Sequence, residues 1–537
     1  MGLTLWKKDR VAPLSGLAMA KGNTTALNVL LVYPVFPDTY WSFRHALRLW
    51  NKRSAFPPLG LLTVAAMLPK SWARRLVDLN VEPLTRADIV WADVVFVSAM
   101  IVQQESLHQV IRRCRALGKR VVVGGPFAST GAQHLAEADH VFVGEVESTF
   151  PLFLHDLENG VPKRIYQAAE KPALTATPVP EFHLVHFPHY LAMPVQFSRG
   201  CPFRCEFCDI IEIYGRVPRT KTNEQMLAEL DALYQAGWRG LVFIVDDNFI
   251  GNKRNVKNFL PHLEEWSERH GRPFSFLTEA SLNLADDDEL LGLMIRAGLR
   301  RVFIGIETPV EESLKEAQKG QNTRRDMLAT VQKIQGHGME VMAGFIVGFD
   351  NDPPDIFQRQ IDFIRAAAIP QAMVGLLQAL PDTQLWRRLE REGRLLVDAT
   401  GNNTDGTLNF VPRMDLASLV AGYKHILRTI YSPAEYYQRA LDSLGRVRQD
   451  TPEAASGDWL TDLTNVGRTL FKLGIQDRAR GDFWRFLGHT LLRHRQKLPQ
   501  AIALAGLGYH FRKITESLLG TKASPRVPLE VAPKIAA

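Results

Sequence analysis

Apolar and polar positions along this chain mark out two long series of alternating strands and helices. The first series opens with Asn28-Val-Leu-Leu-Val-Tyr33, a short apolar run that stops at Pro34 and predicts a buried parallel strand. Pro57 to Leu68 predicts a helix with proline in its first turn. Strand-like runs follow at Arg75–Asp78, Val94–Ser98, Arg120–Gly124 and His140–Val143, with helical stretches at Gln104–Leu117 and Thr130–Glu137. Alternation over about 120 residues predicts an open, doubly wound sheet. Such sheets bind ligands beyond the C-terminal ends of their strands. The turns there begin at Ser98, Gly124 and Gly144, so Ser98, Met100, Gly124, Gly125, Pro126, Gly144 and Glu145 are candidate ligand contacts. Gly124-Gly125-Pro126 would let the backbone approach a bulky ligand. Taken alone, it reads first as a plain tight turn. The fingerprint G-x-G-x-x-G is absent, which leaves NAD and FAD unsupported.

Residues 151–190 carry scattered prolines (Pro172, Pro178, Pro180, Pro188) and read as an extended linker. The second series starts at Pro194. Its six strands are expected at Pro194–Ser198, Gly240–Val245, Ser275–Thr278, Arg301–Ile304, Glu340–Ile346 and Ala372–Leu377. Each ends in polar or glycine-rich residues, where barrel enzymes place their chemistry. Six such units make a partial (β/α)6 barrel. After Trp386 the pattern turns helical. The predicted division is therefore a tail over 1–27, a doubly wound sheet over 28–150, a linker over 151–190, a barrel over 191–395 and a helical extension over 396–537.

Composition leaves this α/β picture intact. The 537 residues suffice for about three domains, and 46% hydrophobic with 23% charged residues is an ordinary globular balance. No signal peptide and no apolar run of membrane-spanning length is seen, so a cytoplasmic location is expected. Charge is placed unevenly. Nine Lys/Arg against two Asp/Glu fall between Phe471 and Lys513, which matches the whole net charge of +7. Nucleic-acid binding would call for a basic patch with interleaved aromatics. The basic stretch instead adjoins apolar Leu498–Phe511, suggesting an interfacial membrane element or a docking helix, against the plainer reading of a core helix beside a solvated one.

Cysteine changes the picture most. The chain has four, and three fall within eight residues, as C-x3-C-x2-C at Cys201, Cys205 and Cys208 with Phe207 before the last. Cys114, in a basic helical stretch, reads as a small hydrophobe. A disulfide framework would need more cysteines, and structural zinc takes four ligands in other spacings. Three clustered thiolates suit three irons of a [4Fe–4S] cubane, leaving the fourth iron open.

This triplet resembles the signature of the radical S-adenosylmethionine (SAM) enzymes, in which the open iron chelates SAM and SAM is cleaved to a hydrogen-abstracting 5′-deoxyadenosyl radical. The resemblance implies SAM contacts at successive strand ends. Phe207 would set its backbone against adenine, Asp246-Asp247-Asn248 would replace the family's Gly-Gly-Glu, and Glu279, Ser281, Asn283 and Glu307 would be ribose candidates. Gly344, Ile346 and Gly348 resemble the family's G-x-I-x-G-x-x-E motif, whose acidic position falls on Asn351, with Asp350 one residue early. A flavodoxin-like sheet before the triplet, with Gly-Gly-Pro and Val143-Gly-Glu-x-Glu147, resembles the cobalamin-binding subclass. The histidine-ligating D-x-H-x-x-G motif is missing, so cobalt without a histidine ligand is implied, His134 and His140 being structural.

Over residues 28–440 the chain resembles the branch that includes the hopanoid C-2 methylases. The strings are Cys205-Glu-Phe-Cys-Asp-Ile, Val245-Asp-Asp-Asn-Phe-Ile-Gly-Asn, Leu376-Leu-Gln-Ala-Leu-Pro and Tyr423–Tyr437. What this implies is methylation at an unactivated carbon of a small or lipid substrate, with [4Fe–4S], SAM and cobalamin as cofactors and a flavodoxin or ferredoxin as electron donor. The alternative is cyclisation, ring rearrangement or oxidation without methyl transfer.

Overall fold

A computed structural model describes residues 26–402, 404–448 and 459–520. All but the last two residues of the expected 1–27 tail lie outside these, as does the chain beyond 520. The first sheet contains β1 (Asn28–Tyr33), β2 (Ala73–Asp78), β3 (Val94–Ser98), β4 (Arg120–Gly124), β5 (His140–Val143) and β6 (Ile165–Gln167). All pair in parallel, in the order β2-β1-β3-β4-β5-β6. Successive residues of each strand feed opposite faces. Leu30, Val32, Val95, Val97, Val121 and Val123 enter one core, while Val29, Leu31, Val94, Phe96 and Val122 enter the other. Burial on both sides is why these strands read as continuous apolar runs. The order reverses between β1 and β3, which opens the switch-point crevice.

Part of the expected linker belongs to this sheet. Residues 151–167 carry most of the helix Phe150–Glu158 and the edge strand β6. Tyr166 stacks on Phe142 with centroids 5.2 Å apart, but three residues alternating exposed and buried are too few to show a strand pattern. The helix expected at Thr130–Glu137 instead starts at Pro126, directly after the Gly-Gly turn, and runs to Thr130.

The second sheet contains β7 (Ala192–Val195), β10 (Gly240–Ile244), β11 (Phe274–Ala280), β12 (Leu299–Glu307), β13 (Glu340–Val347) and β14 (Ala372–Leu376). They too are parallel, ordered β14-β13-β12-β11-β10-β7, with the helices between them completing a half-barrel. A small antiparallel ribbon, β8 (Ser198–Arg199) with β9 (Arg219–Thr220), closes the base of the cysteine loop.

The C-terminal helices pack on this barrel and on the segment after β1. The helix Leu498–Gly520 buries Ala501, Leu504, Ala505, Phe511 and Ile514. Gly508 lies so close to Tyr436 that a Cβ there would meet its ring at 2.2 Å. Tyr436 donates to the Leu504 carbonyl at 2.7 Å, and His510 Nε2 lies 3.0 Å from the Tyr40 carbonyl. The apolar run 498–511 is therefore core, which corrects the interfacial reading of that run. No described helix is long and apolar enough to cross a membrane.

Candidate functional site

The C-terminal edges of the two sheets share one cavity of about 890 Å³. Ser98, Met100, Gly124, Gly125, Pro126, Gly144 and Glu145 line it from the first sheet, as the strand-end argument anticipated. Gly125 has φ +91°, and a Cβ there would meet Ser98 Oγ at 2.4 Å. Gly144 has φ +81° with nothing within 4 Å of a Cβ position. The bare side of Gly125 thus packs on the turn after β3, while Gly144 leaves open space at the cavity wall, a cradle suited to a large, flat ligand such as a corrinoid. His134 and His140 do not line it. His134 pairs with Asp398 at 3.7 Å, and His140 Nδ1 lies 2.6 Å from the Lys163 carbonyl.

Glu145 does more than line the wall. Its side chain is 2% exposed and accepts from Arg199 at 2.8 Å and from Arg219 at 2.7 and 3.0 Å. Arg199 also pairs with Glu147 at 2.7 Å. Arg199 stands two residues before Cys201, and Arg219 lies on β9. The Gly-Glu-x-Glu turn thus grips both strands at the base of the cysteine loop, with both oxygens of Glu145 engaged by arginine and Oε2 of Glu147 left without a partner. Nothing in the sequence pattern singled out the two arginines.

A second clamp holds the loop from the barrel side. Asp246 is fully buried just past β10, with Oδ1 accepting from the Phe197 amide at 2.7 Å and Oδ2 from Ser198 Oγ at 2.6 Å. Both oxygens are engaged by the cysteine loop's own strand, and Asp246 does not line the cavity. Asp247 points the other way, into the cavity, and its buried Oδ2 has no partner. Glu279, at the end of β11, lines the same corner. Burial, then the neighbouring Asp247 and Asp246, push Glu279 up to about 8, and burial with Asp246 pushes Asp247 up to about 7. A cationic ligand rich in amino and hydroxyl groups suits such a corner.

This corner makes stability depend on pH. Glu279 holds a proton in the folded chain up to about pH 8 but loses it at about 4.5 when unfolded. The unfolded state then binds fewer protons, so stability falls as pH rises through that window. Denaturant titrations of the unloaded chain should show a loss of at most a few kcal/mol, after discounting for solvent reaching the cavity. Glu279→Gln should flatten the curve, and an unchanged slope would rule out this origin.

The cysteines lie on the loop between the clamps. Among the described residues no three His, Cys, Asp or Glu side chains converge on a single ion. A cubane asks less, because each thiolate meets a different iron. Asn248 Nδ2 approaches Cys201 Sγ at 3.8 Å, and Gln321 Nε2 approaches Cys205 Sγ at 3.5 Å. Such amide donors tune clusters elsewhere. Asn248 also donates to Ser281 Oγ at 3.3 Å, and Ser281 donates to Asn283 Oδ1 at 2.6 Å. These three predicted residues form one chain running away from Cys201 rather than lining the main cavity.

Other differences concern β12 and β13. Glu307, at φ +65°, does not line the cavity and instead pairs with buried Lys319. Lys319 lies 5.9 Å from the centre of the Phe207 ring, giving the cysteine loop a cation that the sequence did not announce. Burial alone would lower Lys319; Glu307 and Cys205 raise it overall. Phe207 and Ile346 do line the cavity, whereas Gly344 and Gly348 do not. Gly344 lies against Phe303, and Gly348 takes φ +108° in a loop pinned by Asp352. Asp352 accepts from the Gly348 and Phe349 amides at 2.8 and 3.1 Å, while Asp350 pairs with Arg388 and Arg394. The acidic anchor of this loop is thus one residue beyond the motif position.

Comparison with known proteins accords with this geometry. The B12 binding domain family matches residues 52–154, the radical SAM superfamily 195–364, and a domain of unknown function 383–523. An uncharacterised methyltransferase of Synechocystis is 44% identical over 91% of this chain and 92% of its own length. The hopanoid C-2 methylase of Rhodopseudomonas palustris is 36% identical over 88% of this chain and 91% of its own. Among solved structures, the cobalamin-dependent SAM radical enzyme OxsB superposes with TM-score 0.59 at 15% identity, covering 92% of this chain and 80% of its own. The radical SAM methyltransferase TsrM of Kitasatospora setae gives 0.57 at 14%, covering 92% and 100%. At those identities the structural likeness concerns the fold alone.

Proposed function

This chain belongs to the cobalamin-dependent radical SAM methyltransferase family, and from that premise we propose that it methylates an unactivated carbon of a hydrophobic, hopanoid-like lipid. The observation that carries the reading is the shared cavity, with a glycine cradle on one wall and an acidic corner on the other. Its remaining lining includes Val35, Trp41, Phe56, Phe243, Leu376 and Leu377, an apolar surface for an acceptor.

Cys201, Cys205 and Cys208 would hold the [4Fe–4S] cluster. Phe207, Asp247, Glu279 and Ile346 would border SAM, and Ser98, Met100, Gly124, Gly125, Pro126 and Gly144 would cradle cobalamin. When bound, these groups supply a hydrogen-abstracting radical and a transferable methyl group. The protein's share is placement and exclusion of water. The Asp246 clamp and the Glu145–Arg199–Glu147 latch hold the cysteine loop against both cofactor walls, so that hydrogen removal and methyl delivery meet at one carbon. A flavodoxin or ferredoxin would provide electrons.

Anaerobic incubation with methyl-labelled SAM and a lipid extract should place label in a lipid, with S-adenosylhomocysteine and 5′-deoxyadenosine both formed. Absence of label from every lipid would sink the lipid acceptor. Deoxyadenosine without S-adenosylhomocysteine would sink methyl transfer.

A further inference from the structure

We propose that the outer side of the helical pair 459–476 and 480–493 docks the protein on an anionic lipid bilayer. Six of the eighteen exposed large apolar side chains among the described residues fall here: Leu463, Phe471, Ile475, Trp484, Leu491 and Leu492. Scattered exposed leucines are ordinary, but this concentration is not. Leu492 is 85% exposed and Ile475 61%, so neither serves the core.

The helices are joined in a way that presents these residues. Lys472–Gln476 forms a π-helical turn, and a Cβ on Gly474 would meet the Trp484 ring at 2.6 Å. Trp484 Nε1 donates to the Gly474 carbonyl at 2.9 Å, fixing the indole while half of it stays exposed. Only glycine allows that approach. On the second helix Trp484, Leu491 and Leu492 stand seven and eight residues apart, on one face.

Charge selects the occupant. Arg468, Arg480, Arg493 and Arg495 are exposed and carry no ion pair among the described residues. Asp477 is engaged by Arg512 and Asp482 by Arg485. Tryptophan and leucine among unpaired arginines is the composition of an interfacial element facing anionic headgroups. The surface also connects to the site. The helix Trp459–Phe471 packs against Arg44–Leu49, and Arg44 and Trp41 line the cavity.

The inference deepens the lipid reading and rests on it for its purpose. It can nevertheless be tested without any methyl transfer. The full chain should float with vesicles of phosphatidylcholine and about one-third phosphatidylglycerol, less so as salt rises, and weakly with phosphatidylcholine alone. Arg493→Glu with Arg495→Glu should weaken binding about tenfold or more, and Leu491→Ser with Leu492→Ser should weaken it comparably. Failure to float with the mixed vesicles would overturn the proposal, as would variants that bind like the parent. A parent dimer that the same variants convert to monomer, without vesicle binding, would assign the face to a second copy instead. A chain that floats but labels no lipid leaves the docking surface standing and sinks the lipid acceptor, and the converse result does the opposite.

Discussion

Cys205→Ala should abolish SAM cleavage outright, whereas Cys114→Ser should leave it intact. The contrast follows from where the four thiols sit. Cys114 is fully buried on the helix Gln104–Arg115, in the core of the first sheet, and burial pushes its thiol up to about 11. Such a thiol is inert and acts as packing. Serine there should cost stability of about 1–3 kcal/mol through an unpaired hydroxyl, but not function. The other three thiols share one loop held by two clamps, and Cys205 alone has Gln321 as an amide neighbour. With Cys205 gone, two thiolates cannot retain a cubane with a defined open iron. The expected result is a chain of unchanged circular dichroism whose reconstituted iron spectrum is weak, with no deoxyadenosine from SAM. Undiminished cleavage in Cys205→Ala would remove the triplet from the chemistry. Loss of cleavage in Cys114→Ser would point to the fold rather than to the cluster.

The same contrast shows what the chain reveals when read as a string. Cluster ligands are legible because their chemistry demands proximity in sequence. The strands are legible because burial on both faces forces apolar runs. The side to which a residue turns is less legible. Asp246 and Asp247 are neighbours of one type, yet one closes a clamp while the other faces the cavity, because the chain turns between them past the end of β10. Glu307 followed the same pattern as Glu279 but met Lys319, twelve residues on, and was turned aside. Asp352 anchors the loop after β13 in place of Asn351, accepting from the Gly348 and Phe349 amides where Gly348 takes a positive φ. Arg199 could not be assigned from sequence at all. Its carboxylate partners lie more than fifty residues away, on the turn after β5 of the other sheet.

That arginine should carry the largest stability effect outside the cofactor ligands. Arg199→Met leaves Glu145 its second partner, Arg219, but leaves Glu147 without a cation, with the Thr177 hydroxyl at 3.0 Å as its side-chain partner. Glu147 is almost wholly enclosed, and its Oε2 already lacks a partner. Stranding one member of a buried pair typically costs about 3–5 kcal/mol, because the desolvated charge remains. Replacing both members need not, since the uncompensated charge goes too. Adding Glu147→Gln to Arg199→Met should therefore recover most of the loss. The sign of the pH response should also invert. Burial raises Glu147, but Arg199 and local hydrogen bonds outweigh it and hold the carboxyl below its ordinary 4.5. The parent accordingly loses that contribution as pH falls through the lowered value. With Arg199 gone, burial should outweigh the remaining hydrogen bonds, and the single variant should instead gain stability as pH falls toward 5. Because the turn bearing Glu147 also forms part of the glycine cradle, corrinoid affinity should drop with stability and return with it in the double variant. Urea titrations and corrinoid absorbance measured on the parent, the single and the double variant would decide the matter. A double variant no better than the single one would show that the two sheets are held together by something other than this latch.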